Sequence, residues 1–144
     1  MTNDTRLTTN ETRLTAHCRL EQLAAIAAAA RQMAEPAVGP EAAALVDLAL
    51  TEICSNVVRH GHPRNPEHTY DVVVKTLIDA VEIEVRDAGP AFAMDTPKMP
   101  SVDVDLAELP EGGYGVALVA DVMDEFEQWR EHGVNVTRML KRRP

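Results

Sequence analysis

Apolar residues recur along this chain with two different periods, and the switches between them mark its elements. Leu20, Leu23, Ala27, Ala30 and Met33 fall near helical spacing in an Ala-rich stretch that Pro36 is predicted to stop. Pro40 opens a second helix expected to run to about His60, with Pro63 and Pro66 in the loop beyond. In 81–87 the period changes to two. Val81, Ile83 and Val85 alternate with Glu82, Glu84 and Arg86, as in a strand with one buried face and one wet face.

The same reading gives a first strand over about Thr12–Cys18 and a strand over Tyr70–Ile78, which meets the alternating strand at Asp79-Ala80. It also gives an apolar helix over Gly115–Asp124 and a closing hairpin, Phe126–Glu131 and Val134–Leu140, turning at His132-Gly133. Pro90–Glu111 holds Pro90, Pro97, Pro100 and Pro110 and has no strong periodicity; a loop this long in a compact domain is usually functional or mobile. The predicted order places helices on one face of a mixed, mostly antiparallel sheet, an α+β two-layer sandwich. Residues 2–8 (TNDTRLT) and 9–15 (TNETRLT) form a near-exact tandem repeat. Residues 1–11 are expected to be a disordered extension, and 12–144 a single domain.

Composition narrows the function. Aromatic residues make up only 3% of the chain, so the core must come from Val, Leu, Ile, Ala and Met. A net charge of −9, with Lys141-Arg142-Arg143 as the dense basic run, argues against direct nucleic-acid binding, which needs clustered cations. No stretch is long and apolar enough to span a membrane, and the polar start lacks a signal-peptide core. Cys18 and Cys54 form no metal or disulfide pattern, which suits a reducing, cytoplasmic setting. His17, His60, His62, His68 and His132 show no zinc spacing, and Trp129 is expected to serve packing.

Three short elements carry candidate chemistry. On the second helix a step of four brings Glu52, Asn56 and His60 onto one face, with Arg59 beside them. The Asn carbonyl suits Mg²⁺, which takes few protein ligands, and Glu52 could accept a proton; an ordinary solvated helix face would look the same. Asp87 ends the alternating strand, where a buried carboxylate can accept the exocyclic amino group of adenine. Gly89 then offers room for the base or a positive φ, although a plain Asp-x-Gly turn has the same sequence. Gly112-Gly113-Tyr114-Gly115 leads through Val116 into the apolar helix, so its backbone N–H groups could hold phosphates, or it could be a glycine hinge. It is neither a Walker A loop nor a dinucleotide fingerprint.

In this order and spacing the elements resemble the GHKL (Bergerat-fold, histidine-kinase-like) ATPases over about Leu14–Leu140. ALTEICSNVVRHG is similar to the N box, DAGPAF to the first glycine box and EGGYGVALVADVMDEFE to the second. The short chain and the run Gly112–Glu127 most resemble the serine kinases that double as anti-sigma factors in bacterial partner switching. That resemblance implies an ATP- and Mg²⁺-dependent protein serine/threonine kinase, commonly a homodimer, that binds a sigma factor and phosphorylates an anti-anti-sigma antagonist. By position it implies Glu52 as general base, Asn56 as Mg²⁺ ligand, and Asp87 and Gly89 at adenine. It puts Arg59, His60, Gly112, Gly113, Tyr114, Gly115 and Val116 around the nucleotide, with Pro90–Glu111 as the lid. Ala91 replaces a frequent second glycine, and the lid carries a single lysine, Lys98. A nucleotide-binding anti-sigma module without phosphotransfer is the alternative.

Overall fold

The computed structural model describes residues 8–61, 67–91 and 115–144. Among them five strands form one sheet: β1 (Thr8–His17), β2 (Thr69–Leu77), β3 (Ala80–Asp87), β4 (Glu125–Glu131) and β5 (Val134–Arg142). Their spatial order is β1-β2-β3-β5-β4, and all four pairings are antiparallel. The helices are α1 (Leu23–Val38), α2 (Pro40–Asn56) and α3 (Gly115–Val122), with a 3-10 turn at Leu20–Gln22 before α1. None of these helices is long and apolar enough to cross a membrane.

Strand β1 begins at Thr8, inside the stretch predicted as an unstructured extension. The second copy of the repeat forms most of it, and its register on β2 is fixed from both faces. On the wet face Arg13 Nη1 and Thr15 Oγ1 both donate to the Asp71 carboxylate at 2.8 Å. On the other face Leu14 and Ala16 join the core. The β4–β5 hairpin turns on His132 (φ 50°) and Gly133 (φ 77°), two left-handed residues whose twist matches that of the flanking strands.

Helix α1 runs through Pro36 rather than stopping before it. Pro36 lies in the last turn, where losing one N–H removes a single intrahelical bond. Termination falls instead to Gly39 (φ 89°), whose N–H donates to Glu35 O at 2.8 Å; Pro40 then opens α2.

The core lies between the helices and one face of the sheet. Ala30, Ala34 and Ala37 of α1 and Ala42, Ala43 and Ala49 of α2 are buried together, so small side chains let the helices approach closely. Val46, Leu50 and Ile53 carry the packing down to Val72, Val74, Val81, Ile83 and Val85 of the sheet. This burial packs α2 against the sheet.

Candidate functional site

Glu52 and Asn56 are half-buried near the C-terminal end of α2, anchored by the fully buried Ile53 and Cys54 between them. The α-helix ends at Asn56 and the chain continues as a π-turn, Val57–Gly61. The backbone beyond Asn56 therefore winds more widely than the α-helical step of four that the sequence suggested. Arg59 is exposed on this turn.

Helix α3 packs on α2, and its first residue meets the Glu52 side chain. A Cβ built on Gly115 would overlap Glu52 Oε2 and lie 3.3 Å from its Cδ. Glycine here makes a cradle for the carboxylate. The half-buried Gly115 and Val116 form the first turn of α3, whose N–H groups have no intrahelical partners. A candidate base and a candidate anion site thus share one small volume, with the Asn56 carbonyl one turn further along α2. That donor set fits Mg²⁺, which is usually held by one or two protein oxygens together with phosphates. Among the described residues no group of three or more His, Cys, Asp or Glu could hold a metal by itself.

At the end of β3, Asp87 is 4% exposed. Its Oδ1 accepts the Gly89 N–H at 3.0 Å and Asn135 Nδ2 at 3.2 Å. Asn135 Nδ2 also donates to Pro90 O at 2.8 Å. Arg130 Nη1 donates to Gly89 O at 3.0 Å and to Asn135 Oδ1 at 2.8 Å. The left-handed glycines among the described residues are Gly39 and Gly133.

Cys18, Cys54 and Tyr70 form a buried group whose pKa values are raised. Burial pushes the Cys54 thiol up to about 12. Burial also raises Tyr70, with the neighbouring Cys54 and Cys18 adding to it, and raises Cys18, with the Asp87 charge adding to it. The Tyr70 hydroxyl is buried with no hydrogen-bond partner among the described residues. The Asp87 carboxylate thus accepts the Gly89 N–H and the Asn135 amide, with the Cys18 thiol near enough to feel its charge.

Glu52, Asn56, Arg59, Asp87, Gly89, Gly115 and Val116 all fall within the described residues, and contact joins Glu52 to Gly115. Gly112, Gly113, Tyr114, the His60 side chain and the lid from Phe92 to Glu111 lie outside them. The sequence reading missed Arg130 and Asn135. Asn135 shares the strand phase of Thr137 and the core residue Met139, so a polar residue on the inward-facing phase of β5 was the available signal.

Comparison with known proteins extends this picture. The sequence model of the histidine kinase-like ATPase domain matches residues 16–141. The chain is 32% identical over 95 residues to the serine-protein kinase RsbW of Bacillus subtilis, covering 62% of this chain and 58% of that protein. It is 29% identical over 102 residues to the serine-protein kinase RsbW of Staphylococcus aureus, covering 66% and 64% respectively. The match therefore spans less than two thirds of each of these relatives. Among solved structures, one containing the RsbU and RsbW domains of Rv1364c from Mycobacterium tuberculosis superposes with a TM-score of 0.65 at 18% identity. It covers 94% of this chain and 34% of that one, a likeness of fold.

Proposed function

The chain belongs to the histidine kinase-like ATPase domain family, and on that footing we propose that it is an ATP-dependent protein serine/threonine kinase acting as an anti-sigma factor. It sequesters a sigma factor and phosphorylates the anti-anti-sigma antagonist that would otherwise compete for binding. The observation that carries this reading is the meeting of Glu52 with the first residue of α3. A carboxylate beside a helix N-terminus sets a proton acceptor next to a place where phosphate oxygens are stabilised. The names of the relatives, serine-protein kinases, support the same chemistry.

The residues divide the work as follows. Asp87 accepts the amino group of adenine, and Gly89 lets the base come close to the backbone. The α3 N-terminus, entered from Gly112, Gly113 and Tyr114, holds phosphate oxygens by N–H donation. Asn56 holds Mg²⁺ through its side-chain oxygen, with Arg59 and His60 on the following turn near the phosphates. The cation, when bound, neutralises charge that builds on the phosphoryl oxygens. Glu52 takes the proton from the antagonist's serine or threonine hydroxyl as that oxygen bonds to the γ-phosphorus and the bond to ADP breaks. Phosphoryl transfer asks chiefly for positioning and charge stabilisation, so this set is sufficient.

The protein acts in the cytoplasm as a homodimer, which light scattering would check. The functional test mixes purified protein, γ-labelled ATP with Mg²⁺, and candidate antagonist domains. Label should move to a serine or threonine of the cognate antagonist. A tightly bound antagonist that takes no label would instead identify a nucleotide-binding module without phosphotransfer.

A further inference from the structure

Arg130 lies on the edge strand β4, at the surface, yet its Nη1 serves two acceptors, Gly89 O at 3.0 Å and Asn135 Oδ1 at 2.8 Å. Asn135, directly across the β4–β5 ladder and 1% exposed, turns its Nδ2 toward Asp87 Oδ1 at 3.2 Å and Pro90 O at 2.8 Å. A carboxamide has a donor end and an acceptor end of nearly equal shape, so a buried one needs something to choose between its two orientations. Reversed, Asn135 would set its oxygen against a carboxylate and a carbonyl. A guanidinium carries only donors, so Arg130 can bond only the oxygen end. Its charge also strengthens the bond that makes the choice.

We infer that Arg130 is a positioning residue for purine recognition: it fixes the polarity of the Asn135 amide, which holds the Asp87 carboxylate in the orientation that adenine requires. The inference rests on the proposed adenine role of Asp87. Adenine presents an amino group to that carboxylate, whereas guanine presents a carbonyl oxygen in the same place and is repelled. A carboxylate held at a fixed angle keeps both effects, and one that turns loses part of each. The same arginine pins Gly89 O, and Asn135 pins Pro90 O, so the backbone leaving the base site is tied to the last two strands.

The test compares ADP and GDP affinities by calorimetry, and melting temperatures without nucleotide, for wild type, Arg130→Met, Arg130→Lys, Asn135→Ala and the Arg130→Met/Asn135→Ala double variant. Arg130→Met keeps the aliphatic stem and removes the donors. It should weaken ADP binding by about tenfold while changing GDP little, so the preference for adenine falls by a similar factor. Arg130→Lys, which retains a charged donor, should restore most of that preference. Adding Arg130→Met to Asn135→Ala should cost little more, because the arginine acts through the amide. An unchanged ADP/GDP ratio in Arg130→Met would overturn the inference. So would an equal loss for both nucleotides that tracks a lowered melting temperature and is not rescued by lysine. Asp87→Asn separates the two levels of argument. If it leaves ADP affinity unchanged, the adenine reading fails and takes this inference with it; if it weakens ADP while Arg130→Met does not, the inference alone fails.

Discussion

The Glu52 carboxylate lies against the Cα of Gly115, in the space that any other residue's Cβ would occupy. Two motifs far apart in sequence are therefore interlocked: the glycine at the start of α3 is the seat of the candidate base on α2. Gly115→Ala should push that carboxylate away from the helix N-terminus. Phosphotransfer to the antagonist is expected to fall by about a hundredfold, comparable to losing a general base. Alanine suits a helix better than glycine, so melting temperature should change little. Single-turnover kinetics beside a thermal melt would check this.

Asp87→Asn keeps the shape of the side chain but puts an amide where an acceptor is needed. ATP and ADP should weaken alike, by about tenfold, because the base is common to both. Calorimetric titration of each nucleotide would show it, and a loss confined to ATP would point to the phosphates instead.

The buried thiols predict an alkaline limit. Cys54 is raised in the folded protein to about 12 from 9.0, so its contribution to stability is intact below pH 9 and is lost as the pH rises toward 12, when the unfolded state ionises first. Chemical denaturation between those values should show falling stability, with a shallower slope in Cys54→Ala. Below pH 9, thiol reagents should label Cys54 only as the protein unfolds.

Glu125 predicts the acid limit. Hydrogen bonding from Arg138 holds its carboxyl below the ordinary carboxylate range, and Arg142 adds to this. Arg138 is buried and donates to Glu82 Oε2 at 2.9 Å and Glu125 Oε1 at 3.0 Å. The depressed group contributes stability above its unfolded pKa, and the contribution disappears as the pH falls through the lower folded value. The stability difference between wild type and Arg138→Met should therefore be largest near neutrality and shrink in acid, as read by urea denaturation across that range.

Much of this architecture is legible in local pattern. Alternation marked β3, the His132-Gly133 pair marked the hairpin, and helical spacing marked α1 and α2, because each depends on near neighbours in the chain. What local pattern misjudged depends on partners or on small backbone choices. Pro36 looked like a stop because its position relative to Gly39 decides how many bonds it removes. The stretch past Asn56 looked like more α-helix because ideal α-winding was assumed across a π-turn. Thr8–Glu11 looked unstructured because β2, which pairs with it, lies far along the chain. Among the candidate residues, Glu52, Asn56, Asp87 and the glycines draw attention in the sequence because their residue types are unusual in place. Arg130 and Asn135 acquire meaning only when β5 lies beside β3 and brings Asn135 opposite Asp87.

The central claim is that one pocket binds the nucleotide while Glu52 drives transfer from it, and Glu52→Gln tests both halves in one variant. The substitution preserves the shape of the side chain and removes only the proton acceptor. The measurement is the rate of labelled phosphate transfer from ATP to the cognate antagonist, taken beside nucleotide and antagonist affinity for the same samples. The account predicts near wild-type binding and transfer slower by about a hundredfold or more. Transfer at the wild-type rate, with binding intact, would contradict it.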